Sequence, residues 1–239
     1  MLSFDVFNAY KKREVVASSV TKHHEEIKME NRKILFHWLK DIVQEAYEDD
    51  EKDAYYCDLE LEVVYASMGI IEKYMATNKI KLKRYQLLGL SALFLAWKFH
   101  SRDYCRLTLK KKDAYSCMYL CCNIYTKKDF LEMEMELLRC LDFQIDRVNI
   151  PEIVLMLREN DDGCCEKVAA YSRKILWILF LSAEVLPYKP TIIASSILYI
   201  SKAEENVKPH WSKKSATLTN YNLNLKKLQK CISDIYKLL

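Results

Sequence analysis

Apolar residues recur along this chain at helical spacing in segment after segment. From Asn31 to Ala46 the stripe Ile34, Leu35, Trp38, Leu39, Ile42 and Val43 falls on one face of a 3.6-period helix. From Leu59 to Met75 the stripe is Val63, Val64, Ser67, Ile70, Ile71 and Tyr74, with Asp58 placed to cap the first turn. Between them, Glu48–Asp58 is acidic and aperiodic and reads as a solvated loop. Leu82–Phe99 is apolar nearly all round, the pattern of a helix enclosed by other helices, and its Gly89 admits a close neighbour. A weaker pattern, Phe4–Val16, predicts an amphipathic N-terminal helix.

The pattern continues with a short helix near Ala114–Cys122 and another over Thr126–Leu141, capped by Thr126. Ile150 precedes a proline and so disfavours helix, which marks a boundary. Beyond it come Pro151–Arg158, a turn at Asp161-Asp162-Gly163, Cys164–Leu186, and Pro190–Ala203 with proline in its first turn. A turn near Trp211 and a last helix over Asn222–Leu239 complete the pattern. Two groups of about five helices, each around one apolar helix, predict an all-α tandem duplication.

Composition narrows the function more than it changes the fold. Three glycines in 239 residues cannot assemble a phosphate-cradling loop or a dinucleotide fingerprint. Four prolines are too few to punctuate an all-β chain. A net charge of +4 is mild for a dedicated nucleic-acid binder, so no nucleic-acid partner is expected. The longest apolar runs fall short of the roughly 20 residues that span a bilayer, so no membrane partner is expected either. Nine cysteines, an odd number, without a signal-like opening segment read as small packed thiols of a reducing compartment.

Candidate catalytic chemistry is thin. The five histidines are scattered, and the Cys117, Cys121, Cys122 group has no second ligand pair at a fixed offset; it reads as a packed helix face, with no metal and no cofactor. Glu134 stands out because Phe130, Leu131, Leu137 and Leu138 flank it on its own helix. A carboxylate there is costly unless it is paired within the chain or with a partner's cation. Lys98 ends the most apolar helix, where the macrodipole favours a cation.

The order of these residues resembles the cyclin family. Asn31-Arg32-Lys33-Ile34-Leu35-Phe36-His37-Trp38-Leu39 is similar to the motif that opens the cyclin box. Tyr85–Gly89 through Ala96-Trp97-Lys98-Phe99 resembles its central helix, and Tyr125–Lys128, Met133-Glu134 and Leu141-Asp142-Phe143 its fifth. More weakly, Tyr188–Ala194, Trp211 and Leu228–Cys231 resemble the second box. The resemblance implies two tandem five-helix boxes preceded by a short helix, divided as 1–28, 29–147 and 148–239.

It further implies a mitotic-type regulatory subunit, itself not an enzyme, that activates a cyclin-dependent kinase in the nucleus and cytoplasm. Lys98 and Glu134 would grip the kinase's mobile helix, with Phe99, Leu131 and Leu138 as apolar neighbours. The N-terminal helix would also pack on the kinase. Ile34, Trp38 and Asp41, with Tyr85 and Gln86, match a groove for Arg-x-Leu peptides of substrates or inhibitors, unless Ile34 and Trp38 are core. Arg32 would brace Glu72 in the interior. The chain departs from the family at Asn31, Tyr85, His37 and His100-Ser101, and in apparent insertions at 48–58 and 105–113. Paired helical boxes also occur in B-type general transcription factors, which bind DNA and polymerase, and in scaffolds that have lost kinase activation.

Overall fold

A computed structural model describes residues 2–14, 26–46, 54–100, 120–145, 148–182 and 186–239. All regular structure in them is helical. The chain divides into two compact units, one of Ser19–Arg147 and one of Met1–Ser18 with Val148–Leu239.

The first unit holds α2 (Met29–Ala46), α3 (Ala54–Thr77), α4 (Tyr85–His100, entered through a 3-10 turn at Leu82–Arg84) and α5 (Lys127–Cys140). α4 is the centre: every residue from Tyr85 to Trp97 but Gln86 is buried, and α2, α3 and α5 pack around it. Gly89 is small because Leu35 of α2 lies against it; a Cβ there would sit 2.6 Å from the Leu35 Cδ1. α5 starts at Thr126, whose hydroxyl accepts from the Asp129 N–H while Asp129 accepts from the Thr126 N–H, a reciprocal capping box.

α3 starts earlier than its stripe predicts. Residues 54–58 are already helical, so Asp58 lies inside α3 rather than at its start. The apolar stripe marks where α3 meets its neighbours and is silent about the turn that precedes them. The rest of the acidic segment and most of the predicted Ala114–Cys122 helix lie outside the described residues. Cys121–Asn123 form a turn in which Cys122 and Asn123 have positive φ, and Cys122 is exposed rather than part of a packed face.

The second unit contains α1 (Leu2–Arg13), α6 (Ile150–Glu159), α7 (Glu166–Ser182), α8 (Pro190–Glu204), α9 (Lys213–Thr219) and α10 (Lys226–Tyr236). α8 is its centre, packed by α6, α7 and α10. α9 replaces the simple turn predicted near Trp211; Ser212 caps it by accepting from the Ser215 N–H, and Asn220 ends it in the left-handed region. α1 is held by its own chain. Phe7 is buried and meets Tyr221 edge-on at 6.3 Å, while Lys11 lies 4.1 Å from the Tyr221 ring centroid. At its end the Glu14 carboxylate accepts from the Thr191 N–H at 3.0 Å and hydroxyl at 2.7 Å, and pairs with Lys189. Lys189 makes no side-chain cap of its own, so a residue some 177 positions distant caps α8.

Candidate functional site

Where α4 leaves the interior, its side chains change character within two residues. Trp97 is buried, Lys98 is 40% exposed and Phe99 49% exposed. Opposite stands α5, which buries Phe130, Met133 and Leu137 against the unit and so turns Leu131, Glu134 and Leu138 to a different face. Lys98 Nζ lies 2.5 Å from Glu134 Oε1. Leu131 is exposed and Leu138 half-buried, so the five residues that the sequence singles out form one ion pair with three apolar neighbours. Met135, one turn from Leu131 and also exposed, extends the patch. Its spacing of four from Leu131 is the signal in the sequence that places it there.

The scaffold beneath this face is firm. Glu136 accepts from Arg84 at 3.0 Å and from the Tyr74 hydroxyl at 2.8 Å, and Tyr125 donates to the Lys83 carbonyl at 2.6 Å. These bonds tie α5 to α3 and to the entrance of α4. Burial, with the Glu136 bond second, pushes the Tyr74 phenol up to about 12, so it remains a donor through the physiological range. Chemically the face can bind and orient, and its two charges satisfy each other.

The docking groove is only partly assembled. Ile34, Trp38 and Asp41 lie along one face of α2, with Ile34 69% exposed, Trp38 half-buried and Asp41 exposed, so Ile34 is not core. Gln86 is half-buried. Tyr85 does not belong to this surface. It is 3% exposed, and its hydroxyl sits among the charges of Arg32 and Glu72, where burial raises the phenol above its ordinary value. The family's leucine position became a tyrosine whose ring faces inward, so no surface reading of it survives. Arg32 itself is buried, pairs with Glu72 and stacks 5.3 Å from the Phe36 ring centroid.

One cluster escaped sequence reasoning. Lys202, near the end of α8, is buried and paired with Asp161, whose other oxygen accepts from Ser212 at 2.5 Å and from Ser215. Asp161-Asp162-Gly163 looked like an ordinary turn. The apolar run around Lys202 was the available signal, since a lysine there must find an anion.

Comparison with known proteins bears on the whole chain. The family model described as cyclin, N-terminal domain, matches residues 4–146, and that described as cyclin, C-terminal domain, matches 140–239. Cyclin-A3-2 of Oryza sativa subsp. japonica is 26% identical over 223 residues, covering 87% of this chain and 50% of that protein. A putative cyclin-B3-1 of Arabidopsis thaliana is 28% identical over 206 residues, covering 84% and 46%. The chain thus spans about half the length of the curated relatives it matches. The X-ray structure of a viral cyclin from herpesvirus saimiri superimposes with a TM-score of 0.68 at 17% identity, covering 98% of each chain.

Proposed function

The chain belongs to the cyclin family, and from that premise we propose that it is the regulatory subunit of a cyclin-dependent kinase, activating it in cell-cycle control. Family members regulate rather than catalyse, and the relatives are A- and B-type cyclins. The observation that carries the reading is the Lys98–Glu134 pair ringed by Phe99, Leu131 and Leu138. An apolar surround supplies binding energy by burial, and fixed opposite charges at its centre set the register of a partner helix. Activation then requires that this face bind the kinase's active conformation better than its inactive one. The mobile kinase helix is thereby held where its glutamate meets the phosphate-binding lysine.

Arg-x-Leu peptides of substrates or inhibitors are proposed to dock on Ile34, Trp38, Asp41 and Gln86, without Tyr85. Saturating an isotope-labelled sample with such a peptide is expected to shift the Trp38 indole signal; an unmoved signal removes this part. The kinase proposal is tested by mixing the purified protein with a panel of cyclin-dependent kinases and assaying histone phosphorylation. Wild type is expected to bind and activate at least one of them, and a Lys98→Ala, Glu134→Ala variant to do neither. Binding without activation would leave a scaffold, and no binding to any kinase would refute the proposal.

A further inference from the structure

The second unit carries an open surface pocket that shares no residue with the Lys98–Glu134 face. It has a volume of about 470 Å³ and is lined by Tyr199, Lys208, Pro209, His210, Trp211 and Leu223. Three of the six lining side chains are aromatic rings. Tyr199 and His210 meet edge-on at 6.0 Å, and the Trp211 indole N–H donates to the Tyr221 carbonyl at 3.1 Å, which fixes that ring. Leu223 and Pro209 leave apolar surface at the rim. A concave, mostly apolar site of several hundred Å³ suits one large side chain and its neighbours.

Charge states what kind of chain would bring that side chain. The chain as a whole carries +4, and residues 204–239 contain seven lysines against three acidic side chains, Glu204, Glu205 and Asp234, of which Glu204 accepts from the Tyr236 hydroxyl. Lys208 lines the cavity, and Lys213 follows Trp211 by two residues; both are exposed and make no ion pair among the described residues. Asp234 is already engaged by Tyr188 and Lys237. An apolar pocket flanked by cations that no carboxylate among the described residues engages attracts and orients a ligand of the opposite sign.

We propose that this cavity is a docking site for an acidic peptide segment that inserts one aromatic or large aliphatic side chain against Trp211 and Leu223 while its carboxylates face Lys208 and Lys213. Nucleic acid is the weaker fit, because Tyr199, His210 and Trp211 are half-buried and Tyr199 meets His210 edge-on, so they offer no row of parallel faces on which successive bases stack. The site depends on no kinase and stands or falls separately from the kinase proposal.

The probe is a fluorescein-labelled synthetic peptide with one phenylalanine between acidic residues, titrated with the full chain and read by fluorescence anisotropy. Saturable binding is expected, weakened about tenfold by Leu223→Asp, by Lys208→Glu with Lys213→Glu, and by replacing the peptide's phenylalanine with alanine. All three protein positions are exposed, and circular dichroism confirms that the variants fold. Absence of binding would overturn the proposal, as would indifference to Leu223→Asp in a folded variant. Tighter binding of a single-stranded oligonucleotide that displaces the peptide would overturn it in favour of nucleic acid.

Discussion

Lys98 and Lys202 each stand two residues before the end of the central helix of their unit, and each is paired with a carboxylate from another element. The two pairs do opposite things. At Lys202–Asp161 the side chains are 0% and 1% exposed, and the remaining acceptor sites of Asp161 are taken by Ser212 and Ser215, while Lys202 also donates to the Asp162 carbonyl. At Lys98–Glu134 they are 40% and 24% exposed, with apolar side chains rather than further donors around them. A charge pair closed off by its own chain is a structural tie. One that keeps contact with solvent and sits in an apolar patch is available to a partner.

The sharpest way to break this contrast is to remove one member of the buried pair. Lys202→Met leaves Asp161 charged in the interior and is expected to cost about 3–5 kcal/mol, because the lost attraction no longer offsets desolvation. Adding Asp161→Asn should recover part of that loss, since the amide is neutral and its oxygen still accepts from the serine hydroxyls. Urea denaturation followed at the Trp177 and Trp211 signals measures both. A loss under about 1 kcal/mol for Lys202→Met would place the pair with ordinary surface bridges and erase the distinction. Arg32→Ala is the matching test in the first unit, where Glu72 loses its buried cation, and the expected cost is of the same order, about 3–5 kcal/mol. An unchanged melting temperature would remove the brace.

Next in size is the link that ties α1 to α8. Glu14→Ala removes the acceptor for the Thr191 N–H and hydroxyl and the partner of Lys189. The expected loss is about 0.5–2 kcal/mol, as for a conventional N-cap. Amide exchange at Thr191 should quicken with it. Unchanged protection at Thr191 would mean that Glu14 merely rests on α8.

These residues also show what could be read from the chain and what could not. The central helices were legible because a helix surrounded by others must be apolar all round, and Thr126 was legible because capping is local in sequence. The Lys98–Glu134 face became legible through its match to a family motif; periodicity alone left Glu134 open between an internal and an external partner. Asp161, Glu14 and Tyr85 were not legible. Asp161 and Glu14 are set by contacts across a long sequence separation, to Lys202 and to Thr191, and Tyr85 by its burial beside the charges of Arg32 and Glu72. A local pattern reports which side of a helix is buried, and not which distant polar group waits there.

The smallest effect on stability is expected at the exposed pair, and it discriminates best. Lys98→Ala with Glu134→Ala should change unfolding free energy by only about 0–1 kcal/mol, the range for a solvent-exposed bridge. Under the proposed function the same variant loses at least about tenfold in kinase affinity, some 1.4 kcal/mol or more. The reversed pair, Lys98→Glu with Glu134→Lys, separates the two roles further. It keeps an intrachain bridge between the same two positions, so stability should stay within the same narrow range. It presents the opposite polarity to a docked helix, so affinity and activation should remain low. Recovery of activation by the reversed pair would mean that the bridge acts only within its own chain, as Lys202–Asp161 does, and that the apolar side chains around it carry the binding alone.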